Sequence, residues 1–194
     1  MKIFGYYFNV VELIIAINIL AFIFILITPE FMISNFGLVP VAFIEKPWTL
    51  ITSIFLHGSF DHIFANMVTL FFFGFYLHSL VGEKEFLKIY FLGGLAGSFL
   101  HLVLNYNSTI PAIGASGAIF SVGAALAVLR PNQPVLLFFF IPMRLWTSIF
   151  LGFILLSFIP GVSWQGHLGG LIVGLIFGNM LKKKSQEFYI IREF

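Results

Sequence analysis

Apolar residues dominate six long stretches of the chain, and charged residues, proline and glycine mark the breaks between them. A helix that crosses a bilayer core needs about 20 predominantly apolar residues. The pattern therefore predicts six transmembrane helices, of which the fourth and the sixth are short. Their expected ranges are 11–28, 62–81, 86–105, 113–129, 143–159 and 166–181. We expect an all-α, polytopic membrane helix bundle in which residues 1–194 form a single domain.

Composition places this bundle in a lipid bilayer. Of the 194 residues, 60% are hydrophobic and only 9% are charged, whereas a soluble domain carries about 25% charged residues. The net charge of +2 is too small to indicate a nucleic-acid partner. The absence of cysteine from the sequence excludes disulfides, zinc–thiolate sites and cysteine nucleophiles.

Positive charge differs strongly between the two sides that six spans define. With the N-terminus inside, Lys46 is the only lysine or arginine in an outer segment. The other nine lie in inner segments: Lys2, Lys84, Lys88, Arg130, Arg144, Lys182, Lys183, Lys184 and Arg192. Because cytoplasmic loops carry an excess of these residues, both termini are predicted to be cytoplasmic. We expect a multi-pass protein of a prokaryotic cell membrane.

The longest connection between predicted spans, at about 29–61, lies on the outer side and is itself apolar. Such a segment is expected to lie in the membrane interface or to pack on the bundle rather than to extend into water.

Polar side chains gather at one depth in the predicted bundle. The second, fourth and sixth spans all run inward, and their outer ends carry His62 and Asn66, Ser116, and His167. His57 and His101 lie near the same layer. Ionisable groups at membrane depth are costly and generally face the bundle interior or a wet cavity, so this layer is a candidate functional site.

Small residues on two spans favour direct contact between Ser116 and His167. Gly170, Gly174 and Gly178 recur every four residues below His167, and the fourth span is also rich in glycine and alanine. Small residues at this spacing let helices approach closely. Phe120 lies four residues after Ser116 and is expected to pack its ring near the imidazole.

Together these residue types fit acyl-transfer chemistry. A neutral histidine is the usual base that activates a serine nucleophile, and the reaction needs hydrogen-bond donors for the developing oxyanion. His62, the Asn66 amide and the Ser116 backbone N–H are candidate donors. The fourth and sixth spans contain no aspartate or glutamate, so we expect a Ser116–His167 dyad in a cavity open to the outer face.

Three short motifs resemble those of rhomboid intramembrane serine proteases. His62-Ile63-Phe64-Ala65-Asn66 matches H-x-x-x-N, Gly114-Ala115-Ser116-Gly117 matches G-x-S-G, and Gly166-His167-Leu168-Gly169-Gly170 resembles the motif of the final helix. The resemblance covers nearly the whole chain in order and spacing. It implies Ser116 as nucleophile and His167 as general base. It further implies an oxyanion site from His62, Asn66 and the Ser116 backbone, and cleavage of other transmembrane proteins near the outer end of their helices without a cofactor. We also expect Gly114 and Phe120 among the oxyanion and substrate-binding residues, and no metal.

The chain departs from the family pattern at four places. Thr49 follows Trp48 where arginine is common, and His78 stands between Gly74 and Gly82 where glutamate is common. Phe120 replaces a frequent tyrosine, and Gly166 replaces a frequent alanine before the dyad histidine. These differences bear on loop anchoring and stability rather than on the reaction.

Two other functions compete with proteolysis. One is a non-catalytic membrane chaperone or scaffold on the same fold. The other is a metal transporter or metal-dependent enzyme that uses His57, His62, His101 and His167, because imidazole clusters bind transition metals. The roles of His57, His78 and His101 stay open, as does the choice between the first loop and the fifth helix as the gate.

Overall fold

The computed structural model describes the backbone of residues 2–3, 6–7, 9–137 and 140–192, and the side chains of 9–137 and 140–183. Nine α-helices lie in these ranges: α1 (Val10–Ile27), α2 (Pro29–Phe36), α3 (Thr49–Thr52), α4 (Phe60–Thr69), α5 (Phe75–Val81), α6 (Glu83–Leu104), α7 (Ser116–Leu129), α8 (Leu145–Ser157) and α9 (Trp164–Arg192). Two antiparallel strand pairs are also present, β1 (Lys2–Ile3) with β2 (Tyr6–Tyr7) and β3 (Pro134–Leu137) with β4 (Ile141–Arg144).

Each of the six predicted apolar segments overlaps a helix. A π-helical turn, Leu70–Gly74, joins α4 to α5, so that the second segment is one helix over Phe60–Val81. Two boundaries differ in ways that matter. The helix of the fourth predicted span, α7, begins at Ser116 rather than at residue 113. The helix of the sixth predicted span, α9, continues to Arg192 rather than ending at 181.

Helix length and hydropathy agree with a membrane environment. Within the described residues, three helices are long and apolar enough to cross a bilayer, namely Val10–Ile27, Phe60–Val81 and Glu83–Leu104. Two shorter apolar helices, Ser116–Leu129 and Leu145–Ser157, accompany them. Large apolar side chains such as Leu26, Ile27 and Phe72 are exposed on the outside of this bundle, as expected where the surrounding solvent is lipid.

Glycine contacts hold α9 between α6 and α7. A Cβ atom at Gly170 would collide with the carbonyl oxygen of Gly117, and one at Gly174 would collide with that of Ser121. On the other side, a Cβ atom at Gly97 of α6 would collide with the carbonyl oxygen of Gly166. Only glycine permits such backbone approach, and the approach brings the start of α9 beside the start of α7.

The segment between α1 and α4 packs against the bundle. It contains α2, α3 and two 3-10 turns, Pro40–Ala42 and Ser53–Phe55. Leu38 is fully buried and pairs with Ala112 through an isolated β-bridge, and Ile54 is buried in the main core. The Gly114 N–H also donates to the Ser53 carbonyl at 2.9 Å. This segment therefore supports the backbone that leads into Ser116.

Candidate active site

Ser116 lies at the first residue of α7, directly after a turn that requires glycine. Gly114 has φ +130°, a conformation that other residues rarely adopt. Because α7 begins at Ser116, the amides of its first turn have no carbonyl partner within the helix. The Ser116 hydroxyl is half-buried and faces a cavity, so it is within reach of a ligand.

His167 lies in the first turn of α9 and contacts Ser116 directly. Its Nε2 atom is 2.9 Å from Ser116 Oγ, a hydrogen-bond distance. The imidazole is almost fully buried, with 5% of its surface exposed. The glycine contacts of α9 and the late start of α7 thus bring together two side chains that are 51 residues apart in the sequence.

The second nitrogen of the His167 ring is buried and has no hydrogen-bond partner among the described residues. If Nε2 accepts the Ser116 proton, Nδ1 carries the proton of the neutral ring. In the described part of the chain, no carboxylate accepts a bond from that Nδ1–H. The arrangement found is a pair, with no acidic third member in contact.

Phe120 packs against the His167 ring. The two ring centroids are 4.6 Å apart with an interplanar angle of 32°. The ring of Phe153, on α8, also packs against the Phe120 ring in an edge-on arrangement, with 6.0 Å between the ring centroids. An aromatic face within about 6 Å of a cationic ring attracts it, so Phe120 is placed to stabilise an imidazolium at His167.

His62 is the other imidazole beside the serine. A Cβ atom at Gly114 would lie 2.8 Å from His62 Cε1 and Nε2 and 3.9 Å from Ser116 Oγ. Two constraints therefore favour glycine at position 114: its backbone conformation, and the lack of room for a Cβ atom beside the His62 ring. His62 is positioned to present an N–H group on the same side of Gly114 as the Ser116 hydroxyl.

Asn66 uses one of its two amide N–H groups within its own helix. Its Nδ2 atom donates to the His62 carbonyl at 2.8 Å, and its Oδ1 atom is buried without a partner among the described residues. Asparagine often bonds to its own helical turn in this way, and the second N–H of the same amide group can still donate to a ligand. The structure thus brings Ser116, His167, Phe120, Gly114 and His62 together and leaves Asn66 one turn away, bonded to His62.

His57 is a supporting residue whose role the sequence left open. Its Nε2 atom accepts from the Ala115 N–H at 3.4 Å, and its ring lies 4.9 Å from that of His62. His57 lies in the loop before α4 and is fully buried. Burial, with a smaller effect of the neighbouring His62, lowers the pKa of His57 from 6.5 to about 3. The ring therefore stays neutral at pH 7 and can keep accepting from Ala115.

The remaining histidines occupy different places. His101, on α6, lines a cavity of about 40 Å³ together with Ser53, Ser98, Ser116 and Ser163. A water molecule needs about 10–15 Å³ of such space, so the cavity can hold water beside the Ser116 hydroxyl.

His78 lies on α5, at the end of the Phe60–Val81 helix that is far from His62, and its Nδ1 atom is 3.3 Å from Asn9 Nδ2. Among the residues that the structure describes, no group of three or more histidine, aspartate or glutamate side chains is placed to hold a metal ion. The geometry thus gives the metal alternative no support.

Comparison with known proteins identifies the family. Residues 45–184 match the model of the rhomboid domain. RHOMBOID-like protein 12, mitochondrial, of Arabidopsis thaliana is 32% identical over 82% of this chain and 54% of its own length. Rhomboid protease GluP of Bacillus subtilis is 35% identical over 66% of this chain and 24% of its own length. Inactive RHOMBOID-like protein 8 of Arabidopsis thaliana is 31% identical over 64% of this chain and 35% of its own length.

These relatives confirm the family and leave finer points open. The chain spans about half, or less, of the length of each of them. They include mitochondrial and bacterial proteins, so they do not support the expected prokaryotic membrane over another. The matched domain covers more than half of the chain, and the apolar helices agree with it. This chain is an integral membrane protein that belongs to the rhomboid family.

Proposed function

We propose that this protein is an intramembrane serine endopeptidase that hydrolyses peptide bonds in or near transmembrane segments of other proteins. The observation that carries the proposal is the 2.9 Å contact between Ser116 Oγ and His167 Nε2 at the ends of two apolar helices. A serine hydroxyl bonded to a buried, neutral imidazole is the arrangement that general-base activation requires.

The proposed chemical step uses these two atoms. As Ser116 Oγ attacks the substrate carbonyl carbon, its proton passes to His167 Nε2, and the carbonyl oxygen becomes an oxyanion. When the intermediate collapses, the C–N bond breaks and the imidazolium returns this proton to the leaving amine. An acyl-enzyme on Ser116 results. No cofactor enters the balance.

The oxyanion is proposed to bind between the start of α7 and His62. The amide of Ser116 has no partner within its own helix, and the positive end of the helix dipole lies at the same point. The His62 ring, next to Gly114, supplies a further N–H. Such preorganised donors are commonly worth about 10²–10³ in rate each. Asn66 supports this site through its bond to the His62 carbonyl.

Water completes the reaction. It would be drawn from the cavity that Ser116 and His101 line, attack the acyl carbon and transfer a proton to His167 Nε2, which then passes it back to Ser116 Oγ. The carboxylic acid product and the free dyad are thereby restored.

Six spans with both termini in the cytoplasm are part of the proposal, as is the active site near the outer face. Nine of ten lysine and arginine residues then lie on the inner side, which is the distribution that orients membrane proteins. A substrate helix is proposed to enter past α8, the helix whose Phe153 covers Phe120. Rhomboid protease GluP, a relative by sequence, is named as a protease.

Labelling with a fluorophosphonate probe tests the nucleophile. We expect the wild-type protein in detergent or liposomes to be labelled covalently, and both Ser116→Ala and His167→Ala to lose labelling while they elute as folded protein. Equal labelling of wild type and Ser116→Ala would place the reactive group elsewhere.

A non-catalytic scaffold is the competing function, because a similar protein carries the name Inactive RHOMBOID-like protein 8. This alternative predicts that folded wild-type protein is not labelled at all. The same experiment therefore separates the two functions.

A further inference from the structure

A cluster of polar side chains connects the start of α9 to the end of α6. It contacts the chain at Gly166, the residue before the proposed base. His101 Nδ1 lies 2.7 Å from Ser163 Oγ, and the Gly166 N–H donates to the same oxygen at 3.1 Å. Gln165 Nε2 reaches Asn105 Oδ1 at 3.5 Å, and Asn105 Nδ2 donates to the His101 carbonyl at 2.9 Å. We call these four side chains, of His101, Asn105, Ser163 and Gln165, the outer clamp.

The hydrogen bonds around Ser163 Oγ are mutually consistent when His101 Nδ1 carries the proton, and His101 Nε2 is then a buried acceptor without a partner among the described residues. Ser163 Oγ accepts from the Gly166 N–H and from His101 Nδ1–H, and its own proton goes to Gln165 Oε1, which is 3.3 Å away. Ser163 therefore acts as the N-cap of α9, since its side chain binds the third amide of the helix while its carbonyl accepts the first intrahelical bond, from His167 N at 3.2 Å.

The glycine contacts of α9 set its approach to α6 and α7, and the loop that leads into α9 adds little control over the rotation of its first turn. The connection from α8 is exposed, with Phe158 82% accessible, and Gly161 at φ +80° has open space around it. The contact between Gly97 and Gly166 sets how closely α6 and α9 approach, but two glycines provide no directional contact. A hydrogen-bonded N-cap does provide a direction.

Helix geometry transmits that direction to the base. Ser163 lies four residues before His167, and residues at this interval lie on nearly the same face of a helix. A contact that fixes the direction of Ser163 therefore also fixes that of His167. Small displacements matter there, since a misplacement of about 1 Å in a reacting group can cost about 100-fold in rate.

We propose that His101 and Ser163 are positioning residues that hold the first turn of α9 so that His167 Nε2 reaches Ser116 Oγ. They act through His167 and do not contact the reacting bond. This inference rests on the proposed function, because it assigns them to the dyad of that same reaction.

The test measures the rate of fluorophosphonate labelling at Ser116, together with kcat and KM for cleavage of a transmembrane substrate. Ser163→Ala and His101→Leu are expected to slow labelling about tenfold or more and to lower kcat with little change in KM. Ser163→Thr keeps the hydroxyl, and His101→Asn keeps a donor at the Nδ1 position, so both are expected to restore most of the rate. The double variant is expected to label no more slowly than the slower of the two single variants, because each single substitution already removes the contact between His101 and Ser163.

Asn9→Ala is the matched control. Asn9 is the N-cap of α1, its side chain accepts from Val11 N at 2.9 Å, and it lies beside His78 at the other end of the bundle. Removal of this cap is expected to lower stability without slowing labelling. Folded Ser163→Ala or His101→Leu that labels at the wild-type rate would overturn the inference, as would an equal loss in Asn9→Ala. Wild-type protein that does not label at all would instead refute the proposed function itself.

Discussion

At the scale of single residues, the proposed base, His167, lacks a carboxylate partner among the described residues. Its Nδ1 atom is buried without an acceptor there, so the positive charge that the proposed reaction places on the ring must be stabilised in another way. The Phe120 ring, 4.6 Å away, is the group in direct contact that can do so through its π face. The hydroxyl that is frequent in the family at this position is not needed for that contact.

Phe120→Leu should therefore slow catalysis more than binding. Loss of a desolvated cation–π contact is worth about 0.5–2 kcal/mol, or roughly a 2- to 30-fold lower kcat. Phe120→Tyr keeps the ring and should stay within about twofold of wild type. Cleavage kinetics in liposomes measure both. A kcat for Phe120→Leu equal to that of wild type would show that the ring only fills space.

Gly114→Ala should damage the oxyanion site while leaving the dyad residues unchanged. The added Cβ would strain a backbone at φ +130° and push on the His62 ring, 2.8 Å away. Loss of one oxyanion donor lowers kcat by about 10²–10³. Gly58→Ala is the control, because its Cβ would meet only Ile113 at an ordinary 3.5 Å. Equal activity of the two variants would contradict the assignment of His62.

His57 predicts a pH dependence of stability. Its pKa is about 3 in the folded protein, against an ordinary value of 6.5, so below pH 6.5 the unfolded chain binds a proton that the folded protein does not. Stability from the neutral ring is complete above pH 6.5 and is lost as the pH falls toward 3. Between pH 6.5 and pH 5 this one group removes about 2 kcal/mol of the free energy of unfolding.

Thermal unfolding in detergent at pH 7 and pH 5 checks this dependence. His57→Gln keeps an acceptor for the Ala115 N–H and does not titrate, so its midpoint should fall less between the two pH values than that of wild type. Parallel shifts in both proteins would show that other groups cause the pH dependence.

At the scale of elements, the glycines of α9 determine where Ser116 and His167 meet. A Cβ atom at Gly174 would collide with the Ser121 carbonyl, whereas one at Gly152 of α8 would meet Leu137 at an ordinary 3.5 Å. Both glycines are helical, and alanine is intrinsically the better helix former by about 1 kcal/mol. Gly174→Ala should nevertheless destabilise the protein by about 1–3 kcal/mol through overpacking.

Gly152→Ala should be neutral or stabilising by comparison. Unfolding midpoints of the two variants, measured side by side in one detergent, provide the comparison. If Gly174→Ala is as stable as Gly152→Ala, close packing of α7 and α9 does not hold the dyad.

Hydropathy located the apolar helices because the bilayer imposes their length and composition, and each predicted segment overlaps a helix. The short elements were not predicted. The turns of α3, the Pro134–Leu137 and Ile141–Arg144 hairpin and the start of α7 at Ser116 depend on tertiary contacts. The continuation of α9 to Arg192 was missed because its lysines end the apolar pattern without breaking the helix.

The candidate site was predictable to the extent that depth and helix face determine it. Ser116, His167 and Phe120 meet because the period of the helix and the glycine ladder require it. The side-chain details depend on rotamers and loops, which a sequence pattern does not contain. Asn66 donates within its own helix. Ser163 Oγ accepts from the amide of Gly166, the residue before His167, and His57 Nε2 accepts from the amide of Ala115, the residue before Ser116. Cap residues and a histidine five positions before His62 were the available signals.

At the scale of the whole molecule, the proposed six-span topology predicts which side of the membrane each exposed position faces. The chain has no cysteine, so single introduced cysteines report one position each. Arg130→Cys and Lys183→Cys, both exposed, should react with a membrane-impermeant maleimide from the cytoplasmic side, and Glu45→Cys from the opposite side. Reaction of Glu45→Cys and Arg130→Cys from the same side would contradict the topology.

Ser116, activated by His167, is proposed to cleave a transmembrane polypeptide inside the bilayer. The most direct measurement uses purified protein in liposomes with a reconstituted single-span substrate, with wild type and Ser116→Ala compared at equal amounts of folded protein. We expect cleavage near the outer end of the substrate helix by wild type and none by Ser116→Ala. Cleavage by Ser116→Ala at the wild-type rate would contradict the proposed role of Ser116.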